Sequence, residues 1–145
     1  MTIGEKRNRL LSLATNDYTV FIDDDDWIHE DYVGLVHRAI QSKPDVVGLV
    51  GEITMTVPGR ASSKRKFYHV ISNLNYRNSQ RGFERPPNHL NPMKRSISTK
   101  YPFPDRSFAE DTDWAMELSK SGIWKDASQV FIPDVLYFYR FNPKK

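Results

Sequence analysis

The sequence contains no cysteine. Disulfide staples and thiolate metal sites are thereby excluded, and any metal must be held by oxygen or imidazole. A reducing compartment fits this composition. No stretch reaches the ~18 apolar residues of a membrane span, and no charged-then-apolar leader opens the chain. The expectation is therefore a cytoplasmic protein with no membrane span. Internal repeats and low-complexity tracts are also missing, and with 39% hydrophobic and 12% aromatic residues nothing marks disorder. Strong charge of either sign is absent: the net charge is +3, the pI 9.1 and the mean hydropathy -0.61. The small basic excess comes mainly from residues 60–100 and the end of the chain. It does not call for nucleic acid as a partner, but it suits a polyanionic ligand such as a nucleotide diphosphate. A length of 145 residues predicts one domain over 1–145.

What is present is organised around Tyr18-Thr19-Val20-Phe21-Ile22-Asp23-Asp24-Asp25-Asp26-Trp27. Val20, Phe21 and Ile22 read as an interior strand of a sheet covered on both faces, and the acids begin where it stops. If the extended geometry continued, Asp23 and Asp25 would share one face and Asp24 and Asp26 the other. Carboxylates crowded together raise each other's pKa unless a cation sits between them, and a hard ion with oxygen ligands, Mg²⁺ or Mn²⁺, is suited to that place. A run of acids can also be a solvated loop. Here the run is clamped between Phe21-Ile22 and Trp27-Ile28, at the carboxyl end of a strand, where open α/β sheets bind ligands.

Apolar spacing predicts a helix from residue 4 to about 15, with Arg7 and Asn8 near its start, and a second over about 30–42. Residues 45–57 read as strand, Pro58-Gly59 as a turn, and residues 67–74 as a further strand. Residues 75–92 look like a mobile loop, whose basic side chains could hold phosphate or acceptor if they faced the acids. Phe108 to Leu118 opens a helix closed by Gly122. Its inward stripe of Trp114, Ala115 and Leu118 includes Asp111 by spacing, although Asp111 or Glu110 could simply complement the helix N-terminus. Residues 124–132 and 135–141 read as two strands of a hairpin about Pro133-Asp134.

Gly4-Glu5-Lys6-Arg7-Asn8, then Ala14, Asp17-Tyr18 and Phe21-Ile22-Asp23-Asp24-Asp25-Asp26-Trp27, resemble the G-x-x-R-N … A-x-x-x-(D/E)-Y … F-x-D-x-D-D segment of family-two glycosyltransferases. Ala109-Glu110-Asp111 resembles their G-E-D element, with alanine in place of the usual glycine, and Tyr137-Phe138-Tyr139-Arg140 resembles their closing Y-x-Y-R strand. Asn142 stands near where some members have histidine. The resemblance implies an α/β GT-A fold, Rossmann-like, with a mixed central sheet flanked by helices. Family members normally begin with a strand, helix and strand that form the nucleotide-binding half, so the chain is expected to supply the metal and acceptor half. Exposed apolar surface on that side would be covered by self-association or by a completing subunit.

The resemblance also implies a chemistry: inverting transfer of a sugar from a nucleotide-diphosphate sugar to the hydroxyl of a carbohydrate or other acceptor. Asp25 would be the direct metal ligand, joined at the metal by Asp23, which also lies nearer the ribose, with Asp26 a helper. Arg7, Asn8, Asp23 and Asp24 would serve the donor. Asp111 would be the general base, with Glu110 as fallback. Two rival expectations are a non-catalytic sugar- or nucleotide-binding remnant of the same fold and a metal-dependent phosphohydrolase.

Overall fold

The computed structural model describes residues 1–141; Asn142 lies outside the described residues. An eight-stranded mixed sheet carries helices against it. Its central strand is β3 (Val46–Met55), which pairs in parallel with β8 (Gln129–Phe141) and antiparallel with β4 (Ser63–His69). β1 (Tyr18–Thr19) ends the sheet order beside β7 (Met93–Lys94), β2 (Trp27–Ile28) pairs with β8, and β5 (Arg77–Ser79) and β6 (Gly82–Arg85) extend the sheet beyond β4. No described helix is long and apolar enough to cross a membrane.

Two apolar clusters hold the helices. α2 (Tyr32–Ala39) places Tyr32 and Ala39 against Val47, Leu49, Ile132 and Leu136. α1 (Ile3–Leu13), the short α3 (Arg95–Ser98) and α4 (Glu110–Lys120) meet over the second cluster, where Leu11, Ile97, Phe103, Trp114 and Leu118 surround Val46 and Met93. Phe103 stacks on Trp114 at 4.4 Å and meets Phe21 edge-on at 5.8 Å. α1 starts with a capping box in which Thr2 and Glu5 exchange side-chain and backbone bonds. A Cβ on Gly4 would lie 1.8 Å from the carbonyl oxygen of Pro104. Only glycine lets α1 come this close to the segment that leads into α4.

Three expectations are corrected. Val20 to Ile22 is not an interior strand: the ladder covers only Tyr18 and Thr19, at the end of the sheet order, and Ile22 is 44% exposed. Apolar content identified a buried-strand pattern but could not say which neighbours would cover it; Leu10, Leu13 and Ile22 remain exposed along a groove beside this edge. Residues 75–92 are not a loop throughout. They form the β5–β6 hairpin and then a stretch buried from residue 86 to 93. The C-terminal segment is not a hairpin either. Residues 123–126 form a 3₁₀ turn, and β8 then runs as one strand parallel to β3. Phe131 faces Gly48 and Val135 faces Val50, so β8 uses four residues where β3 uses two, and Pro133, which has no N–H to give the ladder, sits in that irregularity.

Candidate active site

The four acids make a tight turn rather than an extended strand end. The Asp26 amide donates to the Asp23 carbonyl at 3.1 Å, which draws Asp23 and Asp26 together at the base and leaves Asp24 and Asp25 exposed at the tip. The expected face-sharing of Asp23 with Asp25 is thereby replaced. Tyr137, 1% exposed, fastens the base: its hydroxyl donates to Asp26 Oδ2 at 2.5 Å and accepts from the Asp23 amide at 3.1 Å. Burial and the Asp26 bond push the Tyr137 hydroxyl pKa up, so it stays protonated as a donor. Asp26 Oδ1 is buried without a hydrogen-bond partner, and burial raises the pKa of this carboxyl despite the Tyr137 bond.

Asp23 is held by two cationic or polar groups. Arg7 Nη2 donates to Oδ1 at 3.1 Å, and His89 Nε2 lies 3.2 Å from Oδ2. Burial works to raise this carboxyl's pKa, but the His89 and Arg7 interactions outweigh it and bring it down to about 2. Arg7 reaches onward from Nε to Glu110 Oε1 at 3.4 Å and lies over the rings of Phe21 and Phe103. Arg7 is thus the internal tie between the acidic turn and the start of α4. Asn8 clamps backbone: its amide donates to the Phe103 carbonyl at 2.9 Å, and its oxygen accepts the Phe103 amide at 2.8 Å.

At the start of α4, the fully buried stripe is Glu110, Trp114, Ala115 and Leu118, one position earlier than expected for the acid. Glu110 turns inward to Arg7. Asp111 sits beside the stripe with its side chain 35% exposed, its Oδ1 accepting the Thr112 amide at 2.8 Å and its Oδ2 3.8 Å from His89 Nδ1. Ala109 precedes it in the left-handed region, φ 58°. That conformation explains why glycine suits this place in the G-E-D element.

His89 was not anticipated. It is 4% exposed, with one ring nitrogen toward Asp23 and the other toward Asp111, and with both it lines a 290 Å³ cavity shared by His69, Arg85 and Tyr139. The signal lay in Asn88-His89-Leu90-Asn91, a polar group enclosed by prolines. Asn91 donates to the carbonyls of Val47 and His69 and accepts the Asn88 amide, while Asn88 Oδ1 accepts the Leu90 amide and lies 3.1 Å from His69 Nδ1. Side-chain amides thus satisfy a backbone that has few ladder bonds, which lets the segment be buried.

His69 sits at the foot of this network. Burial, then the nearby His89 and Arg85 charges, push its pKa down to about 3, against the Asn88 and Asn91 bonds. Between pH ~6.5 and about 3 the unfolded chain therefore binds a proton here that the folded chain does not. Stability should fall as pH drops through that window, by at most ~1.4 kcal/mol per pH unit from this residue. Denaturant midpoints from pH 7 to 3.5 should fall more steeply in the parent than in His69→Gln; parallel curves would remove His69 as the cause.

The comparisons with known proteins decide the family. The model for Glycosyl transferase family 2 matches residues 2–108. The chain belongs to this family. Among solved structures, S. aureus TarS 1-349 matches over 96% of this chain and 40% of that one, at 19% identity and a TM-score of 0.59. Its complexes with UDP and with UDP-GlcNAc match over 99% of this chain and 41% and 40% of theirs, at 19% and 18% identity and TM-scores of 0.59 and 0.61. The family-2 chain thus has the GT-A fold and spans about two fifths of the solved relative's length. No curated protein matches it.

Proposed function

We propose that the chain supplies the catalytic half of an enzyme that moves a sugar from a nucleoside-diphosphate donor to an acceptor hydroxyl with inversion. The observation that carries this reading is the cavity lined by Asp23, His89 and Asp111, in which the His89 ring lies between the two carboxylates. Of the two candidate carboxylates Asp111 lines that space, whereas Glu110 is 5% exposed and engaged by Arg7. In the transfer, the acceptor O–H proton passes to the Asp111 carboxylate as the oxygen bonds to the anomeric carbon. The anomeric C–O bond breaks with its electron pair left on the diphosphate.

A divalent ion suits this site. Among the described residues no three carboxylate or imidazole groups form a complete cage, but Mg²⁺ and Mn²⁺ commonly take only one or two carboxylates and share the rest of their coordination with substrate phosphates. Asp25, exposed at the tip, would be the direct ligand. Asp26 would help through its partnerless Oδ1, and Asp23, already held by Arg7 and His89, would orient the donor. Asp24 is exposed beside Asp25, where donor contact is open to it. Arg7 and Asn8 act on the donor indirectly, through Asp23 and the Phe103 backbone. When bound, the ion would neutralise charge developing on the departing diphosphate. Any second copy or completing subunit over the exposed β1 edge belongs to the same proposal, as does a cytoplasmic location.

Calorimetry with UDP, as found in a TarS complex, tests the donor side. With Mn²⁺ or Mg²⁺ present, UDP should bind about tenfold more tightly than without it, and Asp25→Asn should abolish that gain. An equal gain in the variant would take Asp25 out of the role. Transfer to an acceptor, as opposed to binding alone, separates this reading from a non-catalytic remnant, and phosphate release without acceptor would favour a phosphohydrolase.

A further inference from the structure

The basic side chains before the buried loop, Arg85 in the cavity lining included, have been given no chemical role so far. Residues 60–85 carry seven Lys and Arg side chains against one carboxylate, Glu84. Glu84 is 3% exposed and already engaged, with Arg77 Nε at 2.5 Å and Arg81 Nε at 2.9 Å. Arg65 and Arg85 have neutral partners instead. Arg65 donates to the Ser79 carbonyl at 2.9 Å; Arg85 donates to the carbonyls of Arg77 and Glu84 at 2.9 Å and to the Asn78 side-chain oxygen at 3.5 Å. Among the described residues neither arginine has an ion pair.

These two charges share one aromatic ring. The guanidinium carbons of Arg65 and Arg85 lie 4.7 and 5.2 Å from the centroid of Phe83. Arg85 and Phe83 line the same cavity as Asp111 and Asp23. Burial pushes the Arg85 guanidinium pKa down, so its charge is held at a cost that a nearby anion would relieve. A planar guanidinium backed by a ring is a geometry suited to carboxylate or phosphate. Asp111, by contrast, repels anions. A ligand that satisfies both groups combines a neutral hydroxyl with a negative charge.

We infer that the acceptor carries an anionic group, a phosphate or a carboxylate, which Arg85 binds with Arg65 behind it while the acceptor hydroxyl meets Asp111. This rests on the transfer reading above. It makes the β4–β6 side of the cavity the acceptor-selecting wall and leaves the donor to the acidic turn.

NMR titration of the chain with glucose 6-phosphate, glucuronate and glucose, followed at the Arg85 Nε–H and the Phe83 amide, tests it. At least one anionic sugar should bind about tenfold more tightly than glucose, and which of the two does so separates phosphate from carboxylate. Arg85→Gln should reduce that sugar to the affinity of glucose. Lys64→Gln, which removes the same charge from an exposed side chain set beside Glu52, should leave it unchanged. UDP affinity should be the same in the parent and in Arg85→Gln. Equal binding of all three sugars, an equal loss in the Lys64 variant, or loss of UDP binding in Arg85→Gln would each overturn the inference. Should Arg85→Gln not fold, Arg85→Lys keeps the charge without the fork and must still weaken the anion; unchanged binding there overturns the inference too. If the anion preference holds while the parent binds no UDP, the anion site stands and the transfer reading fails.

Discussion

Asp111→Asn should lower transfer by about 10²- to 10⁴-fold while leaving UDP-plus-metal affinity near the parent value, because a general base acts on the acceptor proton without holding the donor. The Asp111 side chain lines the cavity and is 35% exposed, its Oδ1 accepts the Thr112 amide, and His89 Nδ1 lies 3.8 Å from its Oδ2. An amide in its place keeps the shape and the Thr112 bond but cannot take a proton. Glu110→Gln offers the contrast. Glu110 is buried against Arg7, so this change should act mainly through stability and the setting of Arg7. If Asp111→Asn kept full transfer while Glu110→Gln abolished it, the base would be Glu110; if both stayed active, α4 would supply no base.

The elements legible in the sequence were those whose own pattern carried the information. α1, α2, α4 and β3 have apolar periodicities that survive in any context, and each was found within a few residues of its observed ends. The left-handed Gly122 ending α4 was legible because few other residues tolerate φ 81°. Partnership was not legible. Val20-Phe21-Ile22 has the composition of a central strand, yet the ladder stops at Thr19 because pairing depends on chain that is distant in sequence. Pro133 read as a turn, since a proline inside a strand argues against it, and only the extra residues taken up opposite Gly48 and Val50 show how β8 accommodates it.

Within the site, residue types were legible and their division of labour was not. Helical spacing put Asp111 on the buried stripe, but a one-residue rotation gives that place to Glu110 and leaves Asp111 facing the cavity. The run of acids has the pattern of an extended strand end, whereas the bond from the Asp26 amide to the Asp23 carbonyl turns it and sorts the acids into base and tip. The patterns around His89 and Tyr137, a polar run between prolines and a Y-x-Y-R strand, do not say what these side chains touch. Their role comes from lying 66 and 114 residues from Asp23 in sequence while bonding to it in space.

Arg7→Met should be the most destabilising of the single substitutions considered, at about 3 kcal/mol. The side chains of Arg7 and Glu110 are 11% and 6% exposed, and removing one partner of a buried pair strands the other charge at a typical cost of ~3–5 kcal/mol. The low end applies, because 3.4 Å to Glu110 and 3.1 Å to Asp23 are long for charge-assisted bonds, and Asp23 keeps His89. Methionine preserves much of the packing on Phe21 and Phe103, so lost area contributes little. The decisive comparison is therefore with Arg7→Met/Glu110→Gln. If stranded charge is the main cost, the double variant should recover at least about 1 kcal/mol over the single one, because a buried neutral amide is cheaper than a buried unpaired carboxylate. Urea midpoints at constant slope give both numbers. A double variant no more stable than Arg7→Met would mean that Arg7 acts by packing on the two rings, and the tie between the acidic turn and α4 would then be steric rather than electrostatic.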